Sequence, residues 1–280
     1  MRAIPIFMYH HINWYREDLV TLTPVDFENH LQVLRARGIR TLFLDELVAG
    51  LRREKELVHP AVALTFDDGH LDNWVYAFPL LKKYQMKATI FAVTSWMGDG
   101  EIRKYWNGEG PAGEELPEIP RHREVKRRAA EGDHSVAISW PEAEAMEKSG
   151  LVDIQSHTHL HQDYFLGGGD SFRIDPGKKE VLLEDLARSK KLIEERLQKK
   201  CRFLSWPWGK YDEESNALAK KLGYEGLLTT EKGVNYPGSE EMAMKRIVAK
   251  SGEKGWFSMR IRIYSHRSLG HIYSRLHGKI

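Results

Sequence analysis

Short apolar runs alternate with segments of helical periodicity along most of this chain. Residues 3–9 are an apolar run. Thr23 then offers an N-cap, Pro24 suits the first helical position, and Asp26 lies near the positive end of the helix dipole. Phe27, Leu31 and Leu34 follow at i, i+4 and i+7, and Gly38 ends the helix. The same reading predicts further strands over 39–44, 61–66, 87–93, 151–156, 202–206, 225–229 and 244–249. It predicts further helices over 45–53, 74–84, 178–200 and 212–222, and Ser139-Trp140-Pro141-Glu142 has the capping-box form of one more helix start.

Strands separated by helices pair in parallel through right-handed crossovers. The expectation is an α/β fold in one domain, 1–280, arranged as a closed or nearly closed β/α barrel, with a doubly wound open sheet as the alternative. Two segments break the rhythm. Residues 94–138 carry Gly, Pro, Glu and Arg without a clear period, and read as a long insertion on one barrel face. Residues 163–176, with Gly167-Gly168-Gly169, read as a second loop.

Composition narrows this picture. With 280 residues, 41% hydrophobic and 29% charged, disordered and fibrous classes are excluded. A net charge of +2 gives no reason to expect nucleic acid. Cys201 is the single cysteine, so no intrachain disulfide forms and the compartment stays open. No run reaches the roughly 18–20 apolar residues of a membrane span. Residues 1–8 are too short for a signal peptide, which fits either a cytosolic protein or a chain that starts after a removed signal. Eight Trp and eleven Tyr suit either sugar stacking or a core.

In a parallel barrel the active site lies at the C-terminal strand ends. His10 and His11 follow the first predicted strand, Asp67 and Asp68 the third, His157, His159 and His161 the fifth, and Pro207-Trp208-Gly209 the sixth. Asp-Asp-Gly is ordinary turn chemistry by itself. Two adjacent carboxylates at a crowded strand end repel each other, however, and a metal relieves that repulsion, leaving one carboxylate as ligand and the other as base. His157 and His161 are four residues apart, so one helical turn brings both imidazoles to one ion. One Asp and two His leave open positions for water and substrate, which is hydrolytic machinery.

These residues resemble the polysaccharide deacetylases, carbohydrate esterase family four. Thr65-Phe66-Asp67-Asp68-Gly69 matches the first family motif, and His157-Thr158-His159-Leu160-His161 matches the His-(Ser/Thr)-x-x-His of the second. The resemblance implies a distorted barrel of about seven β/α units, a divalent metal, and hydrolysis of N-acetyl groups on an amino-sugar polymer. It implies Asp67 as base and Asp68, His157 and His161 as metal ligands, with His159 beside them. Zn²⁺ is the expected ion, and Co²⁺ or Ni²⁺ suit the same donors.

Two departures stand out. Ser205-Trp206-Pro207-Trp208-Gly209 has Ser205 where the third motif carries an Arg that orients the catalytic Asp, and Arg246 is the candidate substitute. No convincing Leu-x-His supplies the general acid near the C-terminus, since Leu276-His277 lies in a basic tail over 260–279. Instead Phe7-Met8-Tyr9-His10 ends the first strand, the order of a circular permutation, with His10 as the acid and His11 its rival. This pattern resembles the branch that deacetylates the biofilm exopolysaccharide poly-β-1,6-N-acetylglucosamine outside the cytoplasm, which would place a signal peptide before this sequence. Trp208 and Tyr9 are candidate sugar-stacking residues. Tyr164-Phe165-Leu166 and the basic tail are candidates for contact with a membrane or cell-wall surface. A monomer is expected. The rival readings are a peptidoglycan or chitin deacetylase, a non-catalytic polysaccharide-binding module, and an unrelated metal-dependent barrel hydrolase.

Overall fold

A computed structural model of the chain describes residues 2–15, 20–57, 59–108, 116–168, 171–250 and 254–277. One parallel sheet organises it. Its strands are β1 (Ile6–Tyr9), β2 (Arg40–Thr41), β3 (Ala61–Phe66), β4 (Ala88–Ala92), β5 (Val152–Ser156), β6 (Phe203–Ser205), β7 (Gly226–Leu228) and β8 (Ile247–Val248). The spatial order is β7-β6-β5-β4-β3-β1-β8, with β2 paired to the start of β3. The two ends nearly meet, because Leu228 of β7 bridges Met244 on the segment entering β8. The sheet is therefore a curled, almost closed barrel, and the doubly wound alternative is set aside.

Helices α1 (Pro24–Ala36), α2 (Leu44–Leu51), α3 (Phe78–Tyr84), α4 (His122–Ala130), α5 (Trp140–Lys148), α6 (Lys179–Leu197), α7 (Glu213–Lys221), α8 (Lys254–Tyr264) and α9 (Arg267–His277) surround it. The expected caps form. Thr23 Oγ1 accepts the Asp26 N–H, and Ser139 and Glu142 make a reciprocal capping box at α5.

The pleat sorts the core into two layers. Ala61, Ala63, Ile6, Phe91, Phe203 and Leu228 meet in one buried cluster within the barrel. Val62, Leu64 and Phe66 belong to the other, with Phe27, Leu31 and Leu34 of α1. Alternation carries the inward face of β3 from Ala63 through Thr65 to Asp67, and that of β6 from Phe203 to Ser205. The inward positions thus change from apolar to polar at the strand ends, and these polar side chains floor the site.

Three expectations change. The segment 94–138 holds the helix α4, whose only buried side chains are Val125 and Ala129, too sparse an apolar stripe to read from sequence. The second loop contains an antiparallel ribbon, Phe165–Gly168 with Ser171–Ile174; Gly169 lies outside the described residues. The basic tail is two helices, α8 and α9. Phe257 is fully buried, its ring 4.6 Å from that of Phe7, so α8 is part of the core. Among the described residues no helix is long and apolar enough to cross a membrane.

Candidate active site

The β3 end delivers both carboxylates. Asp68 and Gly69 turn the chain with φ of 73° and 72°, and a Cβ on Gly69 would stand 3.1 Å from the Ala92 backbone. This position therefore requires glycine, for its backbone conformation and for its closeness to β4. Thr158, His161 and Trp208 also have positive φ, so non-glycine residues in the left-handed region gather at this end of the barrel.

Asp67 and Asp68 occupy opposite environments. Asp67 is 3% exposed and pairs with Arg246 through both oxygens, Nη1 to Oδ1 at 2.7 Å and Nη2 to Oδ2 at 2.8 Å. Arg246 is itself fixed by donating Nε–H to the Thr229 carbonyl at 2.8 Å. Ser205 accepts from Arg246 Nη2 at 2.8 Å and donates to Asp67 Oδ2 at 3.2 Å. The small side chain at the departing position of the third motif thus leaves room for a guanidinium arriving ahead of β8. Burial pushes the Asp67 carboxyl up, but the Arg246 guanidinium, by its charge and its hydrogen bonds, holds the group below the ordinary carboxylate value.

Asp68 faces imidazoles. Its Oδ1 is 3.3 Å from His157 Nε2 and 3.3 Å from His161 Nε2, and its Oδ2 is 3.0 Å from His70 Nε2. His157 Nδ1 lies 2.8 Å from the Ser205 carbonyl. A carbonyl only accepts, so Nδ1 carries the proton, and in the neutral ring the Nε2 lone pair points at Asp68. Two lone-pair atoms then face each other in a buried site, an arrangement that a cation between them stabilises. One donor atom each from Asp68, His157 and His161 lies within 4.8 Å of the others. This set fits a divalent transition metal with open positions.

His159 does not join them. Its Nδ1 bonds Thr94 Oγ1 at 2.9 Å. Asp185 of α6, which sequence reasoning missed, shapes this loop by accepting the His159 and Leu160 N–H groups at 2.6 and 2.9 Å and the Tyr164 hydroxyl at 2.7 Å. Only its acidic type on a buried helix face could have signalled it. The Tyr164 hydrogen bond also anchors the aromatic loop from within, while Leu166 remains 39% exposed.

His10 follows β1 with its Nδ1 buried and without a hydrogen-bond partner. Burial pulls its pKa below the ordinary imidazole value against the opposing carboxylates Asp68 and Asp67. Tyr9 requires a correction. It is 1% exposed, its hydroxyl bonds His30 Nδ1 at 3.0 Å, and its ring stacks on Phe66, so it cannot meet a sugar. Alternation explains the error, since the residue before the strand-end histidine points into the helix layer. Trp208 is 45% exposed, with its ring centroid 4.6 Å from that of His161 and Lys126 of α4 above it at 4.3 Å. From Trp208 an open cleft of about 1130 Å³ runs past Phe172, Tyr211, Lys232 and Arg275.

The polysaccharide deacetylase family matches residues 54–227. The Bacillus subtilis protein YxkH is 29% identical over 252 residues, covering 90% of this chain and 73% of that one. A Staphylococcus aureus poly-beta-1,6-N-acetyl-D-glucosamine N-deacetylase is 25% identical over 227 residues, 79% of this chain and 65% of the staphylococcal protein. Among solved structures, the Streptococcus pyogenes deacetylase PplD superposes with a TM-score of 0.72 at 21% identity, covering 94% of this chain and 98% of that one. IcaB from Ammonifex degensii superposes at 0.71, also at 21% identity, covering 95% and 98%. The two structures share the fold.

Proposed function

Because the chain belongs to the polysaccharide deacetylase family, we propose that it removes N-acetyl groups from poly-β-1,6-N-acetyl-D-glucosamine. The observation that carries the reading is the pairing at one strand end: Asp67, held ionised by Arg246, stands beside the Asp68, His157 and His161 donor set. The substrate choice is supported by the staphylococcal relative. In this reading the whole chain is one circularly permuted deacetylase domain, acting as a monomer outside the cytoplasm on a cell-surface polymer.

Asp68, His157 and His161 would hold the metal. When bound, a divalent ion there polarises the amide carbonyl and acidifies water. Asp67 takes the proton of the attacking water, and Arg246 keeps its carboxylate oriented and ionised for that step. His10 gives a proton to the leaving amine nitrogen. Trp208 offers an apolar face to a sugar ring beside His161, and the adjoining cleft gives the polymer a path.

The test is free-amine release from β-1,6-linked N-acetylglucosamine oligomers, with chitin oligomers in parallel. It uses metal-stripped protein supplied with Zn²⁺, Co²⁺ or Ni²⁺. Metal-dependent release mainly from the β-1,6 series is expected. Release only from chitin oligomers would keep the chemistry and overturn the substrate. No release with metal bound would overturn both and favour a polysaccharide-binding module.

A further inference from the structure

A second group of imidazoles lies next to the first. His11 is 1% exposed, and its Nδ1 is 2.6 Å from Asp72 Oδ2. Asp72 is fully buried and accepts further bonds from Asn13 Nδ2 at 2.9 Å and Asn73 Nδ2 at 3.0 Å. With its acceptor capacity used this way, Asp72 takes the Nδ1 proton of His11 in a hydrogen bond and aims the Nε2 lone pair away from itself. That lone pair meets His122 Nδ1 of α4 at 3.1 Å. His70 stacks on His11 with ring centroids 3.6 Å apart. One of its nitrogens is on Asp68, and the other, Nδ1, is buried with no hydrogen-bond partner. One ring nitrogen from each of His11, His70 and His122 lies within 4.8 Å of the other two.

We propose that His11, His70 and His122 form a second divalent transition-metal site, with Asp72 as the carboxylate that orients His11. A carboxylate behind a histidine that presents its other nitrogen is the usual support of a metal-bound imidazole. A plain His11–His122 hydrogen bond would account for two of the three rings. It would leave the third with an orphaned nitrogen in the interior, where an unmade bond is costly. Three neutral imidazoles without a carboxylate in the set select Zn²⁺, Co²⁺, Ni²⁺ or Cu²⁺ over Mg²⁺ and Ca²⁺. The site joins two parts distant in sequence, with His11 and His70 on the barrel mouth and His122 at the start of α4. An ion there fastens α4, which also carries Lys126 over Trp208.

The experiment counts metal. Chelator-stripped protein is dialysed against Zn²⁺ or Co²⁺ and the equivalents bound are measured. The wild type is expected to bind two. His122→Ala changes an exposed side chain, so folding is preserved, and it should bind one. His122→Cys supplies another ligand at the same place and should recover the second. His161→Ala should also bind one, having lost the other ion. One equivalent in the wild type, or two in His122→Ala, overturns the proposal. Because the readout is stoichiometry, it is independent of whether any polysaccharide is deacetylated.

Discussion

The two imidazole clusters that meet at Asp68 are built from the same residue type but carry their negative charge in different places. In the first, the carboxylate of Asp68 faces His157 and His161 directly, and a neutral carbonyl, that of Ser205, holds His157 from behind. In the second, the three facing groups are imidazoles and the carboxylate, Asp72, stands behind His11. The first cluster also has a second carboxylate at its side, since Asp67 is adjacent and paired with Arg246. It opens beside the exposed ring of Trp208. The second is bounded by the start of α4 through His122. A set of metal donors becomes hydrolytic through what surrounds it: an ionised carboxylate that is not itself in the donor set, and a wall for substrate. By that criterion the first cluster is the proposed reaction centre and the second the proposed fastening.

The largest effects should fall on the first cluster. His157→Ala is expected to remove measurable deacetylation, whereas His122→Ala should cost at most about tenfold in kcat/KM, the lower end for groups that support a site from outside. Equal losses in the two variants would erase the distinction. Asp67→Asn should lower turnover by about 10²–10⁴ with the metal content of the first site unchanged, as expected for a base rather than a ligand. His10→Ala should cost a similar factor, and full activity there would remove the permuted acid. A smaller effect is expected for Arg246→Lys, which replaces a two-pronged contact by a point charge. Less of the burial penalty on Asp67 is then offset, so its pKa rises. The base works above its pKa, so the acid limb of the pH profile of kcat/KM should move to higher pH while the plateau changes less. An unmoved limb would mean that Arg246 does not hold the base ionised.

Much of this contrast is legible in the sequence, and the reasons are local. The strand-end positions of Asp67, Asp68, His157 and His161 follow from short apolar runs with turn residues after them. Such runs are buried on both faces in a parallel sheet whatever the rest of the chain does. Arg246 could be named only as a candidate, because its meeting with Asp67 spans 179 positions and depends on curvature that brings β8 beside β1. The helix α4 was illegible for another reason. It has two buried residues in nine, so its place is set by what lies under it rather than by its own pattern. His70 and His122 gave no signal for the same reason, one hidden in a turn and the other in a segment without a period. Tyr9 obeys the same alternation: beside an inward Asp67 and an outward Phe66, its pairing with Phe66 on the neighbouring strand places it in the helix layer and away from a sugar.

The smallest predicted effect concerns a buried imidazole outside both clusters, and it separates burial from carboxylate contact. His30 of α1 is 2% exposed, lies flat on Phe257 with centroids 4.0 Å apart, and bonds the Tyr9 hydroxyl. Burial alone pushes its pKa down to about 3, with no acidic neighbour to oppose it. The ring is therefore neutral in the folded protein, with Nδ1 accepting from Tyr9. In the unfolded chain it titrates near 6.5. Between these two values the unfolded state binds a proton that the folded state does not, so stability falls as pH falls through that window. The slope reaches about 1.4 kcal/mol per pH unit for one proton. His30→Gln keeps a polar partner for Tyr9 but does not titrate. At neutral pH the wild type should be the more stable of the two in urea. Its advantage should shrink steadily below the unfolded imidazole value, because only the wild type then pays for excluding a proton at this position. The histidines of the two clusters titrate in both proteins and cancel in the difference. A stability difference that stays constant with pH would mean that His30 binds its proton as readily in the fold as in the unfolded chain. Burial would then not suffice to keep an imidazole neutral here, and the neutral rings assigned to the second cluster would need their ion for that purpose.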